Sequence, residues 1–544
     1  MGEPRVLTGS HLNWRKERKW LLALLLISGL VRAWHLVTTE VTARDSIHFI
    51  RIAWQLQNQP WNEVLPKATQ HPGFPCATML MGKLILPVFP GDLPLVMQVS
   101  AQLVSIFASL ILIFPLYGLA RGLFGPIGAA LGVFLVQFLP VTARLFPDGL
   151  SEALFLLFAF SSIWFFQEGI RRESYKRLAL AGVFSGCAYL TRPEGGLVFL
   201  ACLAVGCFLL IGKAIWVVRP GRVPAFLGLA ILLASFMALA VPYVMTIGRL
   251  SSKPTATRIL QSNPVEAVGA LEIPKGQGAV SGPLWAAWYD FQKEGVPGLA
   301  WGLWATTGMI VRGLLFVFWV PALASFWKYR QQILRNAGCL AQTIVAVGVF
   351  AALVRVAANL GYVSDRHLVL ILVPALLMAG GGLADWGAGL WGAGHSFGHS
   401  IREKWGRRLY LGFGVSALLV AGRLTLEPLH LNRGGFKTVG HWIRDNGSPG
   451  DEVIDPYQWS HYYAGRVFLE DAPLAQMRSN PPVRWVVLEK GKSKHVRLTL
   501  PQEEELLAQG AQIAFETTEK PGKSGVGKQL LVYKLPISLP GPGN

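Results

Sequence analysis

The residues able to do chemistry in this chain gather at the ends of its apolar runs. Glu40, Asp45 and His48 follow the first run, and His71 lies in the loop beyond them. Arg144, Asp148 and Glu152 precede another run, Arg192 and Glu194 separate two more, Arg312 lies about a turn into one, and Asp365, Arg366 and His367 head a late one. A carboxylate can accept a proton, and a guanidinium can grip a phosphate with two parallel N–H groups. An acid costs roughly 2.5–3.5 kcal/mol at the centre of a membrane helix and much less near its end. Each placement therefore also has a bland reading, as an interfacial residue. What matters is whether the elements that carry them bring them to one face.

Composition names those elements. The chain is 52% hydrophobic and only 15% charged, with a mean hydropathy of +0.41. Soluble domains carry about 25% charged residues, so the balance is that of a polytopic membrane protein. Spans need roughly 17–25 apolar residues. The sequence predicts eleven, near 20–38, 95–120, 126–143, 149–168, 178–191, 196–215, 224–248, 308–327, 337–358, 367–385 and 409–425. Cys76–Phe89 is short and contains Lys83, which places it along the interface.

Charge orients the spans. Arg15–Lys19 precedes the first, and with eleven spans the basic clusters at Arg171–Arg177, Lys213–Arg222, Lys328–Arg335 and Arg402–Arg408 all fall on the cytoplasmic side. Counting Cys76–Phe89 as a twelfth would put every basic loop outside. The net charge of +19 thus reflects loop placement and does not call for nucleic acid. No small-residue cleavage site follows the first span, which reads as an anchor. With this parity the acids and arginines share the outer plane. That suits a substrate with its tail in lipid and its polar head at the surface.

The expected fold is an all-α polytopic membrane domain of about eleven transmembrane helices with a small C-terminal α/β soluble domain. Residues 1–19 form a cytoplasmic segment and 20–429 the transmembrane domain, with long outer loops at 39–94 and 249–307. Residues 430–544 form an outer-side domain, in which "GGFKTVGHWIRDN" reads as a helix and "RWVVLEKG" and "QLLVYKLP" as strands. Aromatics in Asp455–Arg466 fit a packed core better than a sugar-stacking platform. "PLWAAWYDFQKEG" in the second outer loop looks interfacial, and His395 and His399 sit in a Gly-rich linker. The five cysteines show neither metal spacing nor a disulfide framework.

Four stretches carry a family resemblance. The outer loop with an acid before an amphipathic helix, followed by "TQHPGFP" (Thr69–Pro75), resembles the GT-C superfamily of membrane glycosyltransferases. "RLFPDGLSEALFLL" (Arg144–Leu157) is similar to their second acidic motif, "GCAYLTRPEGGLVF" (Gly186–Phe199) to their Arg-Pro-Glu junction, and "DRHLVLILVPALL" (Asp365–Leu377) to their Arg-Tyr span. The pattern sits nearest the protein mannosyltransferase and aminoarabinose transferase branch and covers roughly residues 15–380. The chain departs from it in three places: Asp45-Ser46 replaces an acidic pair, His71-Pro72-Gly73-Phe74 a His-Pro-Pro-Leu, and Arg366-His367 an Arg-Tyr.

The resemblance implies an integral membrane hexosyl- or pentosyltransferase, moving a sugar from a polyprenyl-phosphate carrier to a lipid, glycan or protein acceptor on the non-cytoplasmic face. Asp45 is then the base and Asp148 a supporting acid. Arg366, Arg192, Arg312 and His71 face the donor phosphate, with Glu40, His48, Glu194 and His367 in support. No cofactor is required, although the acids leave room for a divalent cation. A bacterial inner membrane fits the composition. Structural alternatives stand beside each role: Thr42 and Asp45 match a T-x-x-D capping box, Asp148 a helix cap, and Arg366 a snorkelling anchor. A lipid or polysaccharide transporter or flippase would instead need charges near the membrane midplane. A scaffold with an outer binding domain leaves the acids and arginines unexplained.

Overall fold

A computed structural model describes residues 14–88, 90–216, 225–253, 298–360, 363–392, 401–455, 457–470, 483–490, 503–518 and 529–536. The stretch "PLWAAWYDFQKEG" and the His395–His399 part of the Gly-rich segment lie outside these residues, whereas Gly380–Gly392, expected as linker, continues the Val369–Gly392 helix. Among the described residues six helices are long and apolar enough to cross a membrane: Glu17–Thr38, Leu93–Phe138, Glu152–Arg172, Phe226–Ile247, Ala337–Asn359 and Asp365–Ala388. Shorter apolar helices accompany them at Gly73–Ile85, Glu194–Leu210 and Gly412–Thr425. The chain is an integral membrane protein.

Three of the expected spans, 95–120, 126–143 and 308–327, differ in detail. Leu93–Phe138 runs on until Gly125, where a φ of 70° and the following Pro126 turn the chain, because only glycine takes that conformation without steric cost. The expected 308–327 span is two helices, Leu299–Gly313 and Trp319–Arg335. Leu315 and Phe316 between them have φ of 50° and 57°. Apolar composition persists across this break, so hydropathy alone cannot reveal it.

Small residues set the packing that carries the site. Gly128 and Gly132 lie one helical turn apart and face Leu377, Gly380 and Gly381 of the Val369–Gly392 helix. A Cβ on Gly132 would come within 2.8 Å of Leu377 Cα, and one on Gly380 would overlap the Gly132 backbone nitrogen. Backbones meet this closely in membranes because apolar side chains gain little from each other when lipid is equally apolar.

Arg32 is a charge that the near-absence of charges inside the spans did not prepare for. It is fully buried in Trp14–Thr38 and donates to the carbonyls of Gln137 and Ala143, each at 3.1 Å, and to Gln137 Oε1 at 2.8 Å. Both carbonyls lie in the last turns of helices, Ile113–Phe138 and Pro140–Leu145, where orphan acceptors and the negative dipole end meet. Arg32 thereby pins the chain just before Asp148 and Glu152.

Among its described residues the C-terminal unit forms a sheet of four strands in the order β1 (Glu452–Ile454), β2 (Val483–Lys490), β4 (Gln529–Pro536), β3 (Gln512–Thr518). β1 and β2 are parallel and the other pairs antiparallel. The Gly434–Asn446 helix covers one face, with Trp442 stacked on Phe515 at 5.0 Å and edge-on to Trp485. The Tyr457–Phe468 aromatics do not form an open platform. They pack against Phe436 and the loop that emerges from the first membrane helix.

Candidate active site

Four chain segments far apart in sequence converge on one set of charges. Asp45 occupies the first turn of the amphipathic Arg44–Asn58 helix, whose face through Ile47, Ile50 and Ala53 is buried. Arg366 lies in the short turn Asp365–Leu368 that opens Val369–Gly392. Glu152 begins Glu152–Arg172, and Arg192 sits between Tyr175–Thr191 and Glu194–Trp216.

Arg366 pairs directly with Asp45 through Nη1. Its Nε and Nη2 also donate to Glu152 Oε1, at 2.9 and 2.8 Å. The same oxygen accepts from Arg192 Nη1 at 2.6 Å, and Arg192 Nη2 donates to Glu194 Oε1 at 3.0 Å. Exposure falls steeply along the chain of contacts, from 54% at Asp45 and 29% at Arg366 to 4% at Arg192 and 0% at Glu152. The network is solvated at Asp45 and dry at its Glu152–Arg192 centre, while Glu194 beyond Arg192 is again partly exposed. Glu152 Oε2 has no hydrogen-bond partner among the described residues.

Lys253 completes the set. Desolvation first, then the repulsion of Arg192, pulls its ammonium down to about 8, while Glu194 and Glu152 act in the other direction. Burial also works against the charge on Arg192, but Glu194 and Glu152 more than restore it and hold the guanidinium above its usual range. Three acids (Asp45, Glu152, Glu194) and three cations (Arg366, Arg192, Lys253) therefore balance when all are ionised.

The capping-box alternative for Asp45 is not what forms. Ala43 holds the cap position without a side-chain cap bond, and the Thr42 hydroxyl is buried with no partner. Asp45 is engaged by Arg366 instead.

Several sequence expectations need correcting in placement. His71 is fully buried, its Nδ1–H donating to the Tyr189 carbonyl at 2.7 Å and its Nε2 accepting from the Ser251 hydroxyl at 3.0 Å. Burial and then Lys253 push its imidazole down to about 4. With both nitrogens engaged, it ties the Tyr189 backbone to the segment that carries Lys253. Asp148 engages His430 Nε2 at 2.8 Å, at the seam with the C-terminal unit. Glu40 lies against Gly434, at the N-terminus of that unit's helix, where the dipole favours an acid.

The remaining supporting residues divide. Glu194 belongs to the network, and His367 stands in the field of Arg192, Glu194 and Arg366. His48 feels Asp45 on one side and the Arg51–Glu470 pair on the other. Arg312 lies beside Met309 and acts on Asp365. Two members of the network carry no role in the sequence reading. Glu152 passes as an ordinary first-turn acid, and its four-residue spacing from Asp148 is the one available signal. Nothing in "LSSKP" (Leu250–Pro254) marks Lys253. Among the described residues no three His, Cys, Asp or Glu side chains converge as metal ligands.

Long apolar helices thus carry a charged network at one end, and a small α/β unit follows them. Residues 93–242 match the dolichyl-phosphate-mannose-protein mannosyltransferase family. The chain also superposes on ArnT from Cupriavidus metallidurans bound to undecaprenyl phosphate, with TM-score 0.54 and 13% identity over 94% of this chain and 98% of that one. The apo state of that protein gives TM-score 0.53 and 13% identity, over 95% and 98%. The fold is thus of the GT-C type seen in ArnT. The archaeal oligosaccharyltransferase AglB from Archaeoglobus fulgidus matches at TM-score 0.49 and 14% identity over 83% of this chain, which spans 60% of its length. No curated protein matches the chain by sequence.

Proposed function

We propose that the chain is a membrane glycosyltransferase that moves a sugar from a polyprenyl-phosphate carrier to an acceptor hydroxyl or amine at the non-cytoplasmic surface. The observation that carries this reading is the Asp45–Arg366 pair, half open to solvent and backed by a dry acid–cation chain at the heads of membrane helices. The fold shared with ArnT, a protein solved with undecaprenyl phosphate bound, supports the donor class.

In the reaction the acceptor oxygen or nitrogen attacks the anomeric carbon as the bond from that carbon to the phosphate oxygen breaks. The bonding pair leaves with the phosphate, and the acceptor's proton passes to Asp45. A polyprenyl phosphate is a good leaving group, so no general acid is needed. Cations that meet its growing charge lower the barrier most. Arg366, Arg192 and Lys253 supply them. Glu152 keeps both arginines aimed by accepting from each through one oxygen.

Purified protein incubated with a panel of short-chain polyprenyl-phosphate sugars, hexoses and pentoses included, should release lipid phosphate in the presence of one sugar class. No release with any donor across an acceptor panel would sink the reading. Orientation has its own check. Cysteines introduced at Ser174 and at Gly450 should label from opposite sides of the membrane, Ser174 from the cytoplasm.

A further inference from the structure

We infer that the C-terminal unit is a clamp that positions Asp45, with Tyr463 and Trp459 as its positioning residues. This rests on Asp45 being the base. The observation is that both backbone groups of one residue, Thr42, are taken by side chains from across the seam. The Thr42 N–H donates to Tyr463 Oη at 2.9 Å, and the Thr42 carbonyl accepts from Trp459 Nε1 at 2.8 Å. Thr42 stands two residues before the Arg44–Asn58 helix and three before Asp45.

A helix start without a side-chain cap leaves its entry direction weakly fixed. Here Ala43 is such an uncapped start, and the clamp replaces the missing cap with two bonds that determine where the chain enters. Tyr463 is itself held, donating to Gln98 Oε1 at 2.6 Å in the Leu93–Ile111 membrane helix. Tyr462 Oη donates to the Pro94 carbonyl at 2.6 Å, on the same helix. Further along, Trp54 Nε1 donates to the Phe468 carbonyl at 3.1 Å and Arg51 pairs with Glu470 at 2.6 Å. The Asp45 helix is thus gripped at its start and along its length. Arg366, Arg192 and Lys253 belong to elements outside this grip. The clamp therefore aims the base without touching the phosphate cations.

The experiment uses the full-length protein. Tyr463→Phe should lower kcat about tenfold or more, the scale of small misplacement at a reacting centre, while KM for the lipid donor changes less than about twofold. Trp459→Phe should do the same through the other bond and serves if Tyr463→Phe folds poorly. Adding Gln98→Leu to Tyr463→Phe removes the acceptor left unpaired in the core and should restore thermal stability. It should leave kcat low, because the Thr42 N–H still lacks its acceptor. If kcat recovers together with stability, or if the loss falls on donor KM, the clamp is packing and the inference is overturned. Asp45→Asn assayed in parallel separates the two levels, since an active Asp45→Asn protein defeats the base assignment itself.

Discussion

Two clusters of charge sit within four residues of one another in the chain and behave as opposites. Glu152 feeds the network that ends at Asp45, whereas Asp148 and Arg144 bind His430 and Glu427 where the chain passes into the C-terminal unit. There Asp148 meets His430, and Arg144 meets Glu427 while also donating to the Leu424 carbonyl at 3.2 Å. In the site a single buried carboxylate holds two arginines, and one of them reaches out to a carboxylate at the surface. Shared partners and a gradient from dry to wet distinguish a place built to exchange ligands from one built to hold elements together. Arg32 makes the same point from the structural side, since helix ends satisfy it and it reaches no open face.

The sharpest break comes at the buried centre. Glu152→Ala leaves Arg366 and Arg192 facing each other without a shared anion and should cost roughly 3–5 kcal/mol of stability, the range for stripping one partner from a buried pair. Denaturant melts in detergent measure it, and a loss under about 1 kcal/mol would mean that water or lipid already screens the pair.

Next is Asp45→Asn, which keeps the shape and cannot take a proton. Turnover should fall at least the roughly 100-fold associated with a general base. Asp148→Asn, whose carboxylate is engaged elsewhere, should fall less. Parallel single-turnover assays rank the two, and a larger loss at Asp148 would reverse the comparison.

Arg366→Ala should then weaken use of the donor by about 1.5–3 kcal/mol, as expected for a charge-assisted bond to phosphate. Arg366→Lys should rescue part of this, because an ammonium keeps the charge without the fork. Since Asp45 occupies Arg366 at rest, Asp45→Asn should bind a short-chain polyprenyl phosphate more tightly than wild type, by up to about fivefold. Equal or weaker binding would mean that the phosphate does not compete for Arg366.

The smallest effect belongs to the seam. Burial pulls the His430 imidazole down, and the Asp148 carboxylate more than offsets it, leaving His430 above its ordinary 6.5. A raised value means that the pair's contribution is full below about pH 6.5 and fades as pH rises through the folded value. Unfolding free energies of wild type and Asp148→Asn, from denaturant melts, should accordingly converge on going alkaline, from a gap of up to about 1 kcal/mol. A gap that widens would place the stabilising charge elsewhere.

What could be read from sequence followed from periodicity and cost. Apolar length gave most helices, β4 is the stretch "QLLVYKLP" itself, and Asp45, Arg192 and Arg366 stood out because the parity of basic loops puts them in one plane. β3 escaped because an irregularity between Ile513 and Phe515 breaks its alternation, and Ile513 is left exposed. Asp148 looked like a second site acid because its partner, His430, lies 282 residues away and no local pattern foretells that meeting. Lys253 was invisible for the same reason. Its environment is made by Arg192, Glu194 and Glu152, none of them near it in the chain.

Gly132 and Gly380 meet backbone to backbone, so Val369–Gly392 behaves as a lever with its fulcrum partway along a membrane helix and Arg366 just before its N-terminal end. About fourteen residues separate fulcrum and tip, roughly 21 Å at the helical rise. A single methyl group at either glycine would tilt the lever, and the tilt would be largest where Arg366 meets Glu152 and Asp45. A substitution with no charge, placed deep among lipid tails, would thus be felt as a fault in proton and phosphate chemistry at the surface.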